Sequence, residues 1–193
     1  MTKILIGVGL LLFILLAIGV TFYRTGRWSV EEAKYQVIRK EGRFEFRHYP
    51  ELRWITVAMK NETGTPFRKL FAYITGANLQ GQKIAMTTPV WMQKNEQESL
   101  MAFGVAEAIQ SSEIPSPSAP EVKVVIVPGG TFAVYSNQGI SMGGSHDLEE
   151  ELKKELRELD CAIEGVPIYA FYDPPWIPRW LSRKEILFRV IEK

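Results

Sequence analysis

Few residues of this chain belong to the types that carry out nucleophilic, acid–base or metal chemistry. The sequence contains two histidines, His48 and His146, and one cysteine, Cys161. A single cysteine cannot form an internal disulfide, and no Cys/His set has the spacing of a zinc site. We find no Ser–His–Asp arrangement and no Gly-rich phosphate loop. The sequence therefore predicts no catalytic residue and no metal site, and we expect a protein that is not an enzyme.

The composition limits the class of protein further. Lys+Arg number 23 and Asp+Glu 22, giving a formal net charge of +1, whereas a nucleic-acid-binding protein normally carries a basic excess on one face. We therefore expect no nucleic-acid partner. Hydrophobic residues make up 46% of the 193 residues, which is enough to build a core and excludes disorder for most of the chain.

The N-terminus carries an apolar run without a charge, from Ile4 to Tyr23. About 20 such residues match the hydrocarbon thickness of a bilayer, and no small-residue cleavage site follows. We predict that residues 1–27 form a transmembrane anchor with its span at about residues 4–23. Arg24 and Arg27 follow the span and favour a cytoplasmic C-terminal domain, while the opposite orientation stays open.

The remaining residues read as two similar halves, 35–107 and 121–193, joined by a linker at 108–120 that is rich in Pro and Ser. Each half opens with a stretch that reads as strand, tight turn and strand. In a gapless alignment of these stretches, Gly42 falls on Gly129. Glycine supplies the positive φ of a short hairpin turn. We therefore predict two equivalent hairpins.

Each half continues with an amphipathic helix, a strand broken by proline and a last strand. In the first helix Thr65 is the expected N-cap and Gly76 the stop, and the apolar residues recur with helical spacing. The second helix is predicted at 147–160, with leucines on one face. The pattern predicts an α+β fold: a pseudo-twofold repeat forming an eight-stranded, mainly antiparallel distorted barrel with two helices packed outside.

Several segments together resemble the SOUL/haem-binding-protein family: KIAMTTPV, the TGAN that ends the first helix, PSPSAPEV, GGTFAVYS, and YDPPWIP followed by SRKEI. The resemblance covers residues 34–193 in the family's order and spacing. It implies non-covalent binding of haem or a related tetrapyrrole in an apolar surface cleft. The family fold is also similar to small-molecule effector-binding domains of some bacterial regulators.

The resemblance places the cleft between the first helix and the loop around YDPPW. A flat apolar macrocycle needs aromatic and aliphatic walls and cations for its propionates. The candidate haem-binding residues are Phe67, Arg68, Leu70, Phe71, Ile74, Tyr172, Trp176, Ile177, Arg179, Trp180 and Arg183. The alternative is that the tryptophans pack at a barrel rim and that the basic residues form a solvated surface.

Ligation of the iron is a separate question. His48 shares strand parity with Phe44 and Phe46, which places it on the apolar face or just at its end. It is the candidate axial ligand that the sequence offers, but it lies outside the pattern shared with the family. His146 precedes the second helix and is more typical of a helix start. We expect cleft binding without a strong protein ligand.

Two classes of function follow. The first is a membrane-anchored tetrapyrrole-binding protein used for buffering, delivery or sensing. The alternative is a small-molecule effector-binding or protein-interaction module with no physiological haem role. An apolar slot of tetrapyrrole size supports the first, and a cleft filled by Trp176 or Trp180 supports the second.

Overall fold

The computed structural model describes residues 7, 9–17, 19–20, 30–42, 44–59, 65–94, 99–107, 109, 114–138, 145–178 and 181–192. Residues 7, 9–17 and 19–20 are helical, and this segment is α1. Within these ranges no helix has the length and apolarity that a bilayer crossing requires. Residues 4–6, 8, 18 and 21–23 of the span predicted at residues 4–23 lie outside the described residues.

Two further helices are α2 (Thr65–Ile74) and α3 (Ser145–Glu158). The strands are β1 (Glu31–Glu32), β2 (Gln36–Glu41), β3 (Phe44–Tyr49), β4 (Leu52–Ala58), β5 (Thr87–Thr88), β6 (Val90–Lys94), β7 (Ser99–Gly104), β8 (Lys123–Val127), β9 (Gly130–Gln138), β10 (Cys161–Phe171) and β11 (Arg183–Glu192).

Nine of these strands form one sheet in the order β2-β3-β9-β11-β10-β6-β7-β4-β8, and every pair in it is antiparallel. The short strands β1 and β5 form a separate parallel pair. The prediction of an eight-stranded barrel is corrected on two counts. The sheet has a ninth strand, β4, which lies between the predicted first hairpin and α2 and pairs with β7 and β8. No closed barrel is found among the described strands, because β2 and β8 end the order.

The predicted equivalence of Gly42 and Gly129 is wrong. Gly42 has a φ of +56° in the turn between β2 and β3, as a hairpin requires. The strands on either side of Gly129 pair elsewhere, β8 with β4 and β9 with β3 and β11. A Cβ on Gly129 would lie 3.1 Å from backbone atoms of Tyr49, Pro50 and Glu51, so glycine serves a close crossing of two chain segments there.

The same order of strand pairing nevertheless recurs in the two parts of the chain. Strand β4 pairs with β7 and β7 with β6, while β9 pairs with β11 and β11 with β10. The internal repeat of residues 35–107 and 121–193 stays a prediction from sequence. In the pairing order it is β4, and not β3, that corresponds to β9.

Helix α2 forms as its sequence predicts. It begins at Thr65 with Pro66 in its first turn, and Gly76, with a φ of +117°, follows its end. Leu70, Tyr73 and Ile74 are buried against strands β4 and β7. Burying such side chains stabilises a fold by roughly 1.5–3 kcal/mol each.

Candidate functional site

The two helices α2 and α3 lie on the same face of the sheet. Directly opposed residues of antiparallel strands point to the same face. One such row runs Met101–Met92–Tyr169–Ile186 across β7, β6, β10 and β11. Met101 belongs to the core cluster under α2, and Ile186 belongs to the cluster packed with Leu152 and Leu156 of α3. The central strands β6 and β10 therefore separate the two helices.

These two strands form the sheet surface between the helices. Val90 is directly opposite Phe171, and Met92 is directly opposite Tyr169. All four floor side chains are half-buried, whereas fully buried residues flank them under each helix. We call the space above Val90, Met92, Tyr169 and Phe171 the interhelical groove. Its floor is an apolar strip that carries one thioether, from Met92, and one phenol, from Tyr169.

Two phenylalanines of α2 form the wall of the interhelical groove. Phe67 packs edge-on against Phe103, with ring centroids 5.2 Å apart, and Phe103 is in the same row as Val90 and Phe171. The rings of Phe67 and Phe71 are nearly parallel, 11° apart, with centroids separated by 6.1 Å. These side chains are 39% and 45% exposed. They therefore present aromatic surface without burying it in the core.

The other candidates on α2 lie elsewhere. Leu70 and Ile74 are buried beneath the helix and pack on the sheet, so neither lines the groove surface. The i, i+3, i+4 spacing predicts one apolar stripe along α2. That stripe is wider than the part of the helix that packs on the sheet, so Phe67 and Phe71 stay exposed. Arg68 is exposed on α2. A second cation, Lys184, has its Nζ 5.8 Å from the ring centroid of Phe171 at the groove floor.

The loop between β10 and β11 follows Phe171 directly. Trp176 is 68% exposed on this loop and Ile177 is half-buried, so Trp176 does not fill a cleft. Arg179 and Trp180 lie outside the described residues. Tyr172 and Arg183, which flank the loop, belong to a different site from the groove.

Tyr172 lies on the opposite face of the sheet, in the core cluster that contains Tyr49, Trp54 and Trp91. Its hydroxyl donates a 2.8 Å hydrogen bond to Glu185, whose side chain is fully buried. Burial and the neighbouring charge of Glu185 raise the pKa of the Tyr172 phenol. Tyr172 is thus a buried neutral donor and not a wall of the predicted cleft.

Arg183 is held by two carboxylates. Its guanidinium contacts Glu185 at 3.0 Å and Glu32 of β1 at 2.9 Å, and it stacks 3.7 Å from the ring centroid of Tyr172. Burial lowers the pKa of Arg183, but the charges of Glu185, Tyr172 and Glu32 and the hydrogen bond to Glu185 together outweigh it, so the pKa is raised. Both carboxylates already pair with this cation, so it is a poor candidate for a propionate partner.

Of the two histidines, His48 has a described side chain, and it does not lie at the groove. His48 is exposed, although Phe44 and Phe46 of the same strand are buried, so the apolar face ends before it. His146 is within α3, and its side chain lies outside the described residues. Cys161 is a buried free thiol at the start of β10. In the described part of the chain, no three His, Cys, Asp or Glu side chains gather as a metal site would require.

Two cavities lie away from the groove. The larger, of about 660 Å³, is on the flank of α2 opposite the exposed phenylalanines, and Lys69 and Glu121, 3.2 Å apart, both line it. None of its lining residues is aromatic. The smaller, of about 350 Å³, lies beside β1 and includes Trp54 and Trp91 among charged neighbours. Neither has the continuous aromatic wall that a macrocycle needs.

The groove floor was not among the residues predicted from sequence. The signal was present in IYAFY (168–172), where apolar residues occupy both faces of the strand. Such a pattern is typical of a central strand covered on both sides, and this sheet places β10 near its middle. The direction of each side chain, however, follows only from the pairing with β6.

These features define a class of α+β protein with two helices on one face of an antiparallel sheet and an apolar groove between them. The chain belongs to the SOUL family: the family model described as SOUL heme-binding protein matches residues 30–189. Membership in this family indicates haem or tetrapyrrole binding. A comparison with curated proteins finds no match.

Solved structures share the fold at low sequence identity. The C-terminal domain of EcmrR is 12% identical with a TM-score of 0.59, covering 82% of this chain and 99% of that one. A hydrolase from Listeria innocua is 9% identical with a TM-score of 0.60, covering 80% and 94%. An uncharacterized conserved protein from Listeria innocua is 9% identical with a TM-score of 0.58, covering 77% and 92%. At these identities the likeness concerns the fold alone.

Proposed function

We propose that this chain binds a tetrapyrrole, non-covalently, in the interhelical groove. The family indicates the class of ligand. The observation that carries the location is the half-buried row Val90, Met92, Tyr169 and Phe171 beside the exposed, nearly parallel rings of Phe67 and Phe71. This surface suits a flat apolar ligand that lies on the sheet and against a helix.

The energetics favour apolar contact over ion pairing. Burial of apolar surface contributes roughly 25 cal/mol per Å², before the costs of ordering the ligand. Lys184 beside Phe171 and the exposed Arg68 are the described cations that suit propionates. Each exposed pair adds about 0–1 kcal/mol. The rings should therefore matter more than the cations.

The proposed role is binding and not catalysis, for buffering, delivery or sensing of the tetrapyrrole. The groove residues that the structure describes offer hydrocarbon, one thioether and one phenol, which suits holding a ligand. The apolar run at residues 4–23 is the sequence feature that supports membrane anchoring of this role. That part of the proposal depends on the sequence alone.

The test is a titration of the full chain, purified in mild detergent, with haem and with iron-free protoporphyrin, followed by absorbance. We expect saturable binding, and Phe67→Ala and Phe71→Ala should each weaken it by about tenfold, equivalent to 1.4 kcal/mol. Ile126→Ala is the matched control, because Ile126 is 56% exposed on β8, outside the groove.

Absence of a saturable shift in the wild type would overturn the proposal and favour the effector-binding or protein-interaction alternative. Equal affinities in the phenylalanine variants and the wild type would show that a tetrapyrrole binds somewhere other than the interhelical groove.

A further inference from the structure

The floor of the interhelical groove holds two side chains with atoms that can bond to iron. Met92 and Tyr169 are directly opposite each other on β6 and β10 and point to the groove face. The other described residues that define the groove, Val90, Phe171, Phe67 and Phe71, are hydrocarbon. Iron in a macrocycle lying on this floor would therefore meet a thioether or a phenol.

The Tyr169 phenol has a hydrogen-bond partner that makes its oxygen a better donor to a metal. Its hydroxyl donates to Glu149 Oε2 of α3 at 2.6 Å. The other oxygen of Glu149 is 2.6 Å from Lys153 Nζ, and the Glu149 side chain is only 13% exposed. A carboxylate that accepts the phenolic proton increases electron density on the oxygen, in the way that outer partners tune metal ligands.

Tyr169 remains a phenol when no metal is present. Burial, with the hydrogen bond and charge of Glu149 adding to it, raises the pKa of Tyr169. Met92 is a soft, neutral thioether, a ligand type that suits soft metal ions better than ferric iron. Tyrosine is an established axial ligand type for haem iron.

We propose that Tyr169 is the axial ligand when the groove holds ferric haem, with Glu149 as the residue that positions and polarises it. The proposal rests on the proposed function. A bond forms between the phenolic oxygen and Fe(III), and the phenolic proton passes along the existing hydrogen bond to the Glu149 carboxylate. No electron is transferred. This assignment replaces the expectation of binding without a strong protein ligand.

The experiment compares haem with iron-free protoporphyrin on the full chain, because only haem can use a ligand. Tyr169→Phe removes one oxygen atom and keeps the ring. We expect protoporphyrin affinity to stay within about twofold, while haem affinity falls about tenfold or more and the absorption spectrum of ferric haem changes. Tyr135→Phe is the matched control, since Tyr135 lies in the buried cluster under α3.

Glu149→Gln tests the positioning role through a property that a structural role would not change. The amide cannot take up the phenolic proton as the carboxylate does, so ligation of Fe(III) by the phenolate is weakened and the Fe(III)/Fe(II) potential of bound haem should rise relative to wild type. Protoporphyrin affinity should be unchanged.

The outcomes separate the two proposals. If wild type binds neither haem nor protoporphyrin, the proposed function fails and the ligand assignment fails with it. If both bind and Tyr169→Phe leaves the haem spectrum unchanged, the assignment to Tyr169 is wrong and the groove proposal stands. In that case, a spectral change in Met92→Leu or His146→Ala would identify the ligand.

Discussion

Arg47 and Glu185 form a buried, bidentate ion pair across strand β9. Arg47 Nη1 lies 2.8 Å from Glu185 Oε2, and Nη2 lies 3.2 Å from Oε1. The Arg47 side chain is 3% exposed and that of Glu185 is fully buried. Burial lowers the pKa of Arg47, but the hydrogen bond and charge of Glu185 outweigh it, so the pKa is raised.

This pair belongs to a network that joins the N-terminal residues of the fold to the loop after β10. Glu185 also accepts hydrogen bonds from Tyr172 and Arg183, and Arg183 reaches Glu32 of β1. Tyr35 packs against Tyr49 with ring centroids 5.3 Å apart and lies under the guanidinium of Arg47. The chain from β1 to Tyr35 therefore covers part of the sheet face opposite α2 and α3.

We predict that Glu185→Gln destabilises the fold strongly. Loss of one partner of a buried pair costs roughly 3–5 kcal/mol, and we expect the lower end here because Arg47 keeps Glu45 and Arg183 keeps Glu32. The measurement is the free energy of unfolding in urea. Glu164→Gln is the control, because Glu164 pairs with Arg189 at 2.8 Å with its side chain 54% exposed, and such pairs contribute about 0–1 kcal/mol. Equal losses in the two variants would contradict this account.

The local structure was largely predictable from sequence where one residue type decides it. Thr65, Pro66 and Gly76 bound helix α2 as expected, because capping and left-handed conformations depend on few atoms. The family was predictable for a similar reason, since contiguous motifs such as KIAMTTPV carry it. The order of pairing was not: Gly42 and Gly129 look alike in sequence, but only the first is in a hairpin.

The site was predictable in part. Phe67 and Phe71 lie at the groove, whereas Leu70 is under the same helix, because helical spacing marks an apolar stripe without showing which part the sheet covers. Arg183 resembled a free surface cation in sequence. Its partner Glu32 is distant in sequence, and its partner Glu185 lies two residues further along β11. Only the fold brings both carboxylates to the guanidinium.

We predict that Arg183→Gln lowers stability but leaves tetrapyrrole affinity within about twofold, since Arg183 is already held by Glu32 and Glu185 and stacks on Tyr172, on the face of the sheet opposite the groove. Trp176→Ala should weaken binding more, because Trp176 is exposed on the loop that follows the groove floor. Absorbance titrations and urea unfolding of both variants check this. A large loss of affinity in Arg183→Gln, without a loss of stability, would show that the guanidinium contacts the ligand.

Removal of residues 1–27 should leave a folded domain, because the described contacts with the sheet begin at Glu31. Removal of residues 1–35 should lower the thermal stability, since it deletes β1, the Glu32–Arg183 pair and the packing of Tyr35 on Tyr49. Circular dichroism on heating compares the two truncations. If the apolar run anchors the protein, the full chain should sediment with membranes and the shorter truncation should not. Equal melting of the two truncations would show that β1 and Tyr35 contribute no stability.

The last prediction concerns strand β8, which ends the sheet order with Val124, Val125 and Ile126 exposed. A long apolar edge strand is an aggregation site unless a charge interrupts it. Ile126→Glu places a carboxylate opposite Arg53, its partner in the ladder, so the fold should tolerate it.

We expect Ile126→Glu to aggregate less than wild type on heating, measured by light scattering, with circular dichroism unchanged at room temperature. Leu79→Glu is the control: Leu79 is 69% exposed but lies outside the strands, so the same charge should have little effect there. If both variants reduce aggregation equally, the benefit comes from net charge and not from the edge of β8.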